Sequence, residues 1–178
     1  MKNIRLIELL DLGTGANPYL TAACGLAFAE SAAVSFESQG HIRSVELKVE
    51  GDFNEIFELT MPEVTDQMKQ CYAEAERATE DGAYGVAIML ILNLTDYTVI
   101  EKSRRGTAFD YWLGNKDDYD AFNNRARLEV SGIRQGSDSA INTRSKTKIE
   151  RLNKRVSSLP AFIIIVEFSK PKSNIRKL

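Results

Sequence analysis

Two carboxylates in the second half of the chain stand where they could hold a metal ion. Asp110 lies in the segment GTAFDYW (106–112) and Glu129 in LEVSG (128–132), and both segments favour strands. If both side chains face the same side of a sheet, they can bind one Mg²⁺, which is commonly held by one or two carboxylates, waters and a substrate phosphate. Such an ion lowers the pKa of a bound water and stabilises charge developing on a phosphate, which is most of what phosphodiester hydrolysis needs.

Glu101, on the preceding β-rich segment, is a candidate third oxygen ligand. The alternative for Asp110 is a structural role, either as a strand-end cap or as an ion-pair partner of Arg125 or Arg127. For Glu129 the alternative is an ion pair across the sheet with the same arginines.

The charge of the chain is unevenly distributed along the sequence. The formal net charge is −2, but residues 1–95 carry a net charge of −9 and residues 96–178 a net charge of +7. A dense basic half is typical of proteins that neutralise phosphates, although a solvated basic face would give the same composition. The acidic half of one copy could also cover the basic half of another, so self-association stays open.

Several basic side chains are candidates for binding nucleic acid. Lys102 and its neighbours precede a glycine and two aromatic residues, Tyr111 and Trp112, which is a mixture found in single-strand binders, although Trp112 is more often a core residue. The candidate nucleic-acid-binding residues are Arg104, Arg105, Arg127, Arg134, Lys148 and Arg151.

The pattern of apolar residues predicts an α+β fold in one domain. In the first half it indicates a helix over 19–39 and a β-hairpin over 45–59, with a helical pattern from 64 to 94 that is either one kinked helix or two. In the second half it indicates four strands, a basic amphipathic helix and a frayed tail. These are strands at 97–100, 109–113, 127–131 and 162–166, the helix at 142–158, and the tail at 170–178.

The order helix, strand, strand with an aspartate, strand with a glutamate, helix, strand resembles the PD-(D/E)XK nuclease superfamily. The resemblance covers roughly residues 80–170 and implies a restriction-endonuclease-like mixed central sheet flanked by helices. Residues 63–170 would form this core, 1–62 a helix-and-hairpin extension and 171–178 a basic tail. It also implies that Asp110 and Glu129 hold Mg²⁺.

In that family a lysine two residues after the acid polarises the attacking water, and Ser131 occupies its place here. The resemblance therefore requires either a lysine from elsewhere or a fold kept only for binding. The candidates for the catalytic lysine are Lys102 and, from the basic helix, Lys146 and Lys148.

These features predict a nuclease-like protein that binds DNA or RNA and hydrolyses it with Mg²⁺. The resemblance alone suggests a bacterial mobile-element or antiphage defence setting. The alternative is a non-enzymatic subunit that keeps the fold and docks a protein partner through its acidic N-terminal half, and Ser131 favours this alternative.

Composition argues against several other classes of protein. The first residues lack the pattern of a secretory signal, and no apolar stretch approaches the roughly 20 residues of a membrane span, so we expect a cytoplasmic protein. Cys24 and Cys71 lie in helical, apolar patterns and are expected to be buried free thiols. One histidine and two cysteines are too few for a zinc site of the usual kind.

Overall fold

The computed structural model describes residues 4–15, 17, 19–116, 125–155 and 157–178. It is an α+β protein with one mixed sheet of eight strands, flanked by helices. The strands are β1 (Arg5–Glu8), β2 (Ser44–Gly51), β3 (Glu55–Thr60), β4 (Tyr97–Lys102), β5 (Tyr111–Asn115), β6 (Ala126–Ile133), β7 (Ala161–Glu167) and β8 (Lys172–Lys177). The helices are α1 (Ala22–Glu37), α2 (Asp66–Cys71), α3 (Ala75–Leu94) and α4 (Asp138–Asn153), with a short 3-10 helix at Leu9–Gly13.

The spatial order of the strands is β1-β3-β2-β8-β7-β6-β5-β4. Strands β4, β5 and β6 form an antiparallel meander, and β7 then pairs parallel to β6 after the crossover through α4. The predicted hairpin is confirmed, because β2 and β3 pair antiparallel with Val45 opposite Leu59. The hairpin and the meander therefore belong to one continuous sheet.

The prediction of a frayed tail is wrong. Residues Lys172–Lys177 form β8, which pairs antiparallel with β7 and parallel with β2 and so joins the two halves of the sheet. Its Ile175 is only 1% exposed. The basic composition of the tail concealed this strand, because its charged side chains alternate with residues that face the core.

The two faces of the sheet are covered by different helices. The 3-10 helix, α1 and α3 cover one face and form the large core. Helix α4 covers β6 and β7 on the other face, where Ile141 and Leu152 pack against Ile163 and Ile165. Both faces of β7 are buried, which explains why its sequence reads as a nearly continuous apolar run.

The helices begin and end at different residues from those predicted. Helix α1 begins at Ala22, three residues later than predicted, and the Thr21 hydroxyl accepts a hydrogen bond from the Cys24 N–H. The pattern over 64–94 forms two helices. Helix α4 begins earlier than expected, at Asp138, behind an N-cap at Ser137.

Both cysteines are free, but the expectation that both are buried is wrong for one of them. Cys24 is partly buried and Cys71 is exposed at the end of a short helix. None of the described helices combines the length and apolar character that crossing a membrane would require.

Candidate active site

Four elements converge on one open cleft of about 430 Å³. Asp110 immediately precedes β5, Glu129 comes from the middle of β6 and Lys148 from α4, while α3 supplies a further wall. The cleft is also lined by a set of mostly charged or polar side chains. These are Arg77, Glu80, Tyr84, Lys102, Arg104, Arg105 and Arg151. The structure thus brings together the two predicted carboxylates and two of the three predicted lysines, Lys148 and Lys102.

Asp110 is fixed by hydrogen bonds to β6 and to α3. Its carboxylate accepts one hydrogen bond from the Val130 backbone N–H at 2.8 Å and another from the Tyr84 hydroxyl at 3.0 Å. Its own N–H donates to the Leu128 carbonyl at 2.8 Å. The same hydroxyl lies 3.1 Å from a Glu80 carboxylate oxygen, so its one proton is shared between two acceptors, and α3 orients the Asp110 carboxylate.

Glu129 is the most buried acid of the cleft, with 4% of its surface exposed. Its pKa is raised to about 7, and burial is the largest cause, because the charged form loses its hydration. The negative charge of the neighbouring Asp110 also raises the pKa, whereas Lys148 lowers it. The two acids therefore line the same cleft and repel each other when both are ionised.

Lys148 reaches Glu129 from the helix, not from the strand. Its ammonium donates to a Glu129 carboxylate oxygen and is itself largely buried. The serine at the family's lysine position has another partner, because the Arg144 guanidinium donates to the Ser131 hydroxyl at 2.9 Å. A lysine supplied by α4 thus lies beside the acid of β6.

The other two candidate lysines lie in different places. Lys146 is exposed on α4 and does not line the cleft. Lys102 lines the cleft, with its ammonium 4.0 Å from the centre of the Tyr84 ring and 4.3 Å from the centre of the Tyr111 ring. Glu101, the candidate third ligand, is exposed and lines a neighbouring recess, so the structure does not bring it together with Asp110 and Glu129.

The candidate nucleic-acid-binding residues lie in three places, which are the cleft, an adjoining recess and, for Arg127, the interior. Lys148 and three arginines, Arg104, Arg105 and Arg151, line the cleft. Arg134 is exposed in an adjoining recess.

Arg127 is 7% exposed, and its guanidinium donates to the Leu159 carbonyl at 2.7 Å. Burial lowers its pKa. Arg127 therefore supports the loop before β7 and has little surface to offer a ligand.

A structured loop carries two of these arginines over the cleft. The loop connects β4 to β5 and turns through positive φ angles at Gly106 (92°) and Ala108 (69°), the second of which is uncommon for a residue with a side chain. Ser103 hydrogen-bonds within the loop to Thr107, and the Arg155 guanidinium donates to the Gly106 carbonyl at 3.0 Å. These contacts tie the loop to the end of α4.

Sequence reasoning missed the contribution of α3 to the cleft. Arg77, Glu80 and Tyr84 recur at spacings of three and four, so they share one face of that helix and point toward the carboxylates. The spacing was visible in the sequence, but nothing in the sequence indicated that this polar face turns toward β5 and β6. Arg144, which binds Ser131, was missed for the same reason.

The donor set of the cleft fits a hard divalent cation. Within the described residues no group of three or more His, Cys, Asp or Glu side chains is arranged to hold a metal ion. Asp110 and Glu129, which line the same cleft, nevertheless provide carboxylate ligands of the kind that Mg²⁺ commonly takes from a protein when water and phosphate complete its shell. A cation there would relieve the repulsion between them.

No protein-family model, curated protein or solved structure matches the chain.

Proposed function

We propose that this protein binds nucleic acid and hydrolyses its phosphodiester bonds with Mg²⁺. The observation that carries the proposal is the meeting of Asp110, Glu129 and Lys148 in one open cleft. Two carboxylates provide the oxygen ligands, and the basic rim provides the attraction for a polyanion.

The order of the elements supports the resemblance to the PD-(D/E)XK superfamily. The chain passes from α3 through the antiparallel meander β4-β5-β6 and α4 to β7, which is parallel to β6. Asp110 immediately precedes β5 and Glu129 lies in β6, as that order requires. The restriction-endonuclease-like core is therefore part of the proposal, and a bacterial defence or mobile-element setting stays a prediction of the resemblance.

The residues of the cleft divide the work between them. Asp110 and Glu129 would hold Mg²⁺, which supplies an activated water and stabilises charge on the phosphate when it is bound. Lys148 donates to Glu129 and would hold an attacking water or a phosphate oxygen once the carboxylate turns to the cation. Tyr84 keeps Asp110 oriented. The arginines of the β4–β5 loop would bind flanking phosphates.

Cleavage assays with matched variants test the proposal. The pure protein is incubated with plasmid and with short DNA and RNA strands in Mg²⁺ or Mn²⁺. Asp110→Asn and Lys148→Met should abolish cleavage or reduce its rate at least 100-fold, since each removes a group from the reacting centre. The controls are Glu46→Gln, on the exposed side of β2, and Lys170→Met, in the turn before β8, and both should cleave like the wild type.

A folded wild-type protein that cleaves none of these substrates would contradict the proposal. Equal activity in wild type and Asp110→Asn would contradict it as well, because the activity would then come from a contaminant. Absence of cleavage by the folded wild type would leave the interaction subunit as the better explanation.

A further inference from the structure

A second recess, of about 410 Å³, adjoins the cleft. Its lining is largely aromatic and aliphatic, and its residues come from the start of α1, from α3 and from strands β4 and β5. The apolar part consists of Tyr19, Leu20, Phe28, Tyr84, Val99 and Tyr111. We call this surface the aromatic recess.

Three residues line both the aromatic recess and the cleft. They are Arg77, Tyr84 and Lys102. The Lys102 ammonium lies over the Tyr84 and Tyr111 rings, and Lys102 lines both the cleft and the recess. One ligand could therefore place an anionic group in the cleft and a flat apolar group in the recess at the same time.

The recess also offers a few polar groups around its apolar lining. Thr21 and Cys24 come from the start of α1, Glu101 from β4, and Asp81 from α3, where it accepts a hydrogen bond from Arg77 at 2.8 Å. A nucleobase has an apolar face and hydrogen-bonding edges, so it matches this combination better than a sugar or a phosphate does.

A third recess also adjoins the cleft, and none of its described lining residues lines the aromatic recess. It shares Glu80, Val130 and Lys148 with the cleft and adds the basic side chains Arg134 and Arg144. The three depressions therefore follow one another, with the cleft between the aromatic recess and the recess that carries Arg134 and Arg144. This order suits a strand that inserts a base on one side of the reacting phosphate and rests a phosphate on the other.

The next inference rests on the proposed function. We propose that the substrate is single-stranded nucleic acid and that the unpaired base next to the reacting phosphate occupies the aromatic recess. In a duplex that base is stacked and paired, and presenting it to a recess costs a few kcal/mol for unstacking and unpairing. In a single strand the base is free to stack on aromatic side chains.

Binding without cleavage tests this inference. Fluorescence anisotropy in EDTA compares a 20-nucleotide DNA strand, the same strand in RNA, and the DNA duplex. The single strands should bind more tightly than the duplex. Tyr19→Ala should weaken single-strand binding roughly 5- to 150-fold, as the loss of a stacked base does, and leave duplex binding unchanged. Tyr19 is 43% exposed, so its removal spares the core, and Ile42→Ala, at a 71% exposed position, is the control.

Protection of Cys24 from alkylation is a second, independent test. Cys24 and Cys71 are the two cysteines of the chain, so Cys71→Ser leaves Cys24 as the single thiol, in the recess. A saturating single strand should slow its alkylation several-fold, and a saturating duplex should not.

This inference would be overturned if the duplex binds as tightly as the single strand, Tyr19→Ala has no effect and Cys24 is not protected. That result would leave the proposed hydrolysis untouched. Absence of binding to every nucleic acid at low salt would overturn the proposed function as well. Cleavage confined to single strands, sensitive to Tyr19→Ala, would support both.

Discussion

Replacing Glu129 by glutamine should change how the stability of the protein depends on pH. In the folded protein the pKa of Glu129 is raised from its ordinary value of 4.5 to about 7, first by burial and then by Asp110. The folded state therefore binds a proton that the unfolded chain releases between these two pH values. Stability contributed by the protonated form is complete below pH 4.5 and is lost as the pH rises toward 7.

The size of the effect follows from the shift in pKa. At 1.36 kcal/mol for each pKa unit, the shift corresponds to a loss on the order of 3 kcal/mol across this pH range. Glutamine cannot ionise, so the Glu129→Gln variant should not show this loss. The free energy of unfolding of the variant minus that of the wild type should rise by about this amount between pH 4.5 and pH 8 and stay flat above pH 8.

Urea denaturation followed by circular dichroism, at constant ionic strength and at half-unit steps of pH, measures this difference. Glu46→Gln, at an exposed position of β2, serves as the control and should give a difference that is constant with pH. A constant difference for Glu129→Gln would refute the reasoning. It would mean that Lys148 keeps Glu129 ionised throughout this range as a closed ion pair.

Three further predictions concern the rim, the last strand and the core. Arg105→Met should lower the magnitude of the slope of log binding constant against log salt concentration, for single-strand binding, by about 0.7, whereas Arg127→Met should not change that slope. Titrations at several salt concentrations measure the slopes, and equal effects of the two substitutions would contradict the placement of Arg105 on the rim. Ile175→Ala should cost about 2–5 kcal/mol in urea denaturation, because the side chain is 1% exposed, and a negligible cost would mean that β8 frays. Gly25→Ala should destabilise the protein by about 1–3 kcal/mol, since an added Cβ would lie 2.0 Å from the Leu12 carbonyl oxygen. Thermal denaturation measures this loss of stability, and unchanged stability would contradict the close packing of Gly25 on Leu12.

The parts of the fold that could be predicted are those with strong local patterns. The alternation of Val45, Leu47 and Val49 with charged residues predicted β2, and the apolar run 162–166 predicted β7. The tail was misjudged because β8 depends on pairing with β2 and β7, which lie far away in the sequence. Strand β1 was missed in a short apolar segment for the same reason, since it forms only by pairing with β3.

The candidate site shows the same division between local and tertiary information. Asp110 and Glu129 could be selected from residue type and strand context alone. The choice among Lys102, Lys146 and Lys148 could not be made from the sequence, because it depends on how α4 packs over β6. Only the rotation of that helix directs Lys148 to Glu129 and leaves Lys146 in solvent.

Calorimetric titration with Mn²⁺, which takes the same oxygen ligands as Mg²⁺, tests the central claim most directly. The account predicts that the wild type and Glu46→Gln bind a divalent cation at a site that Asp110→Asn loses, with all three proteins folded. If the wild type takes up no Mn²⁺ at millimolar concentrations, or Asp110→Asn binds it equally well, the two carboxylates do not form a cation site and the hydrolytic proposal fails.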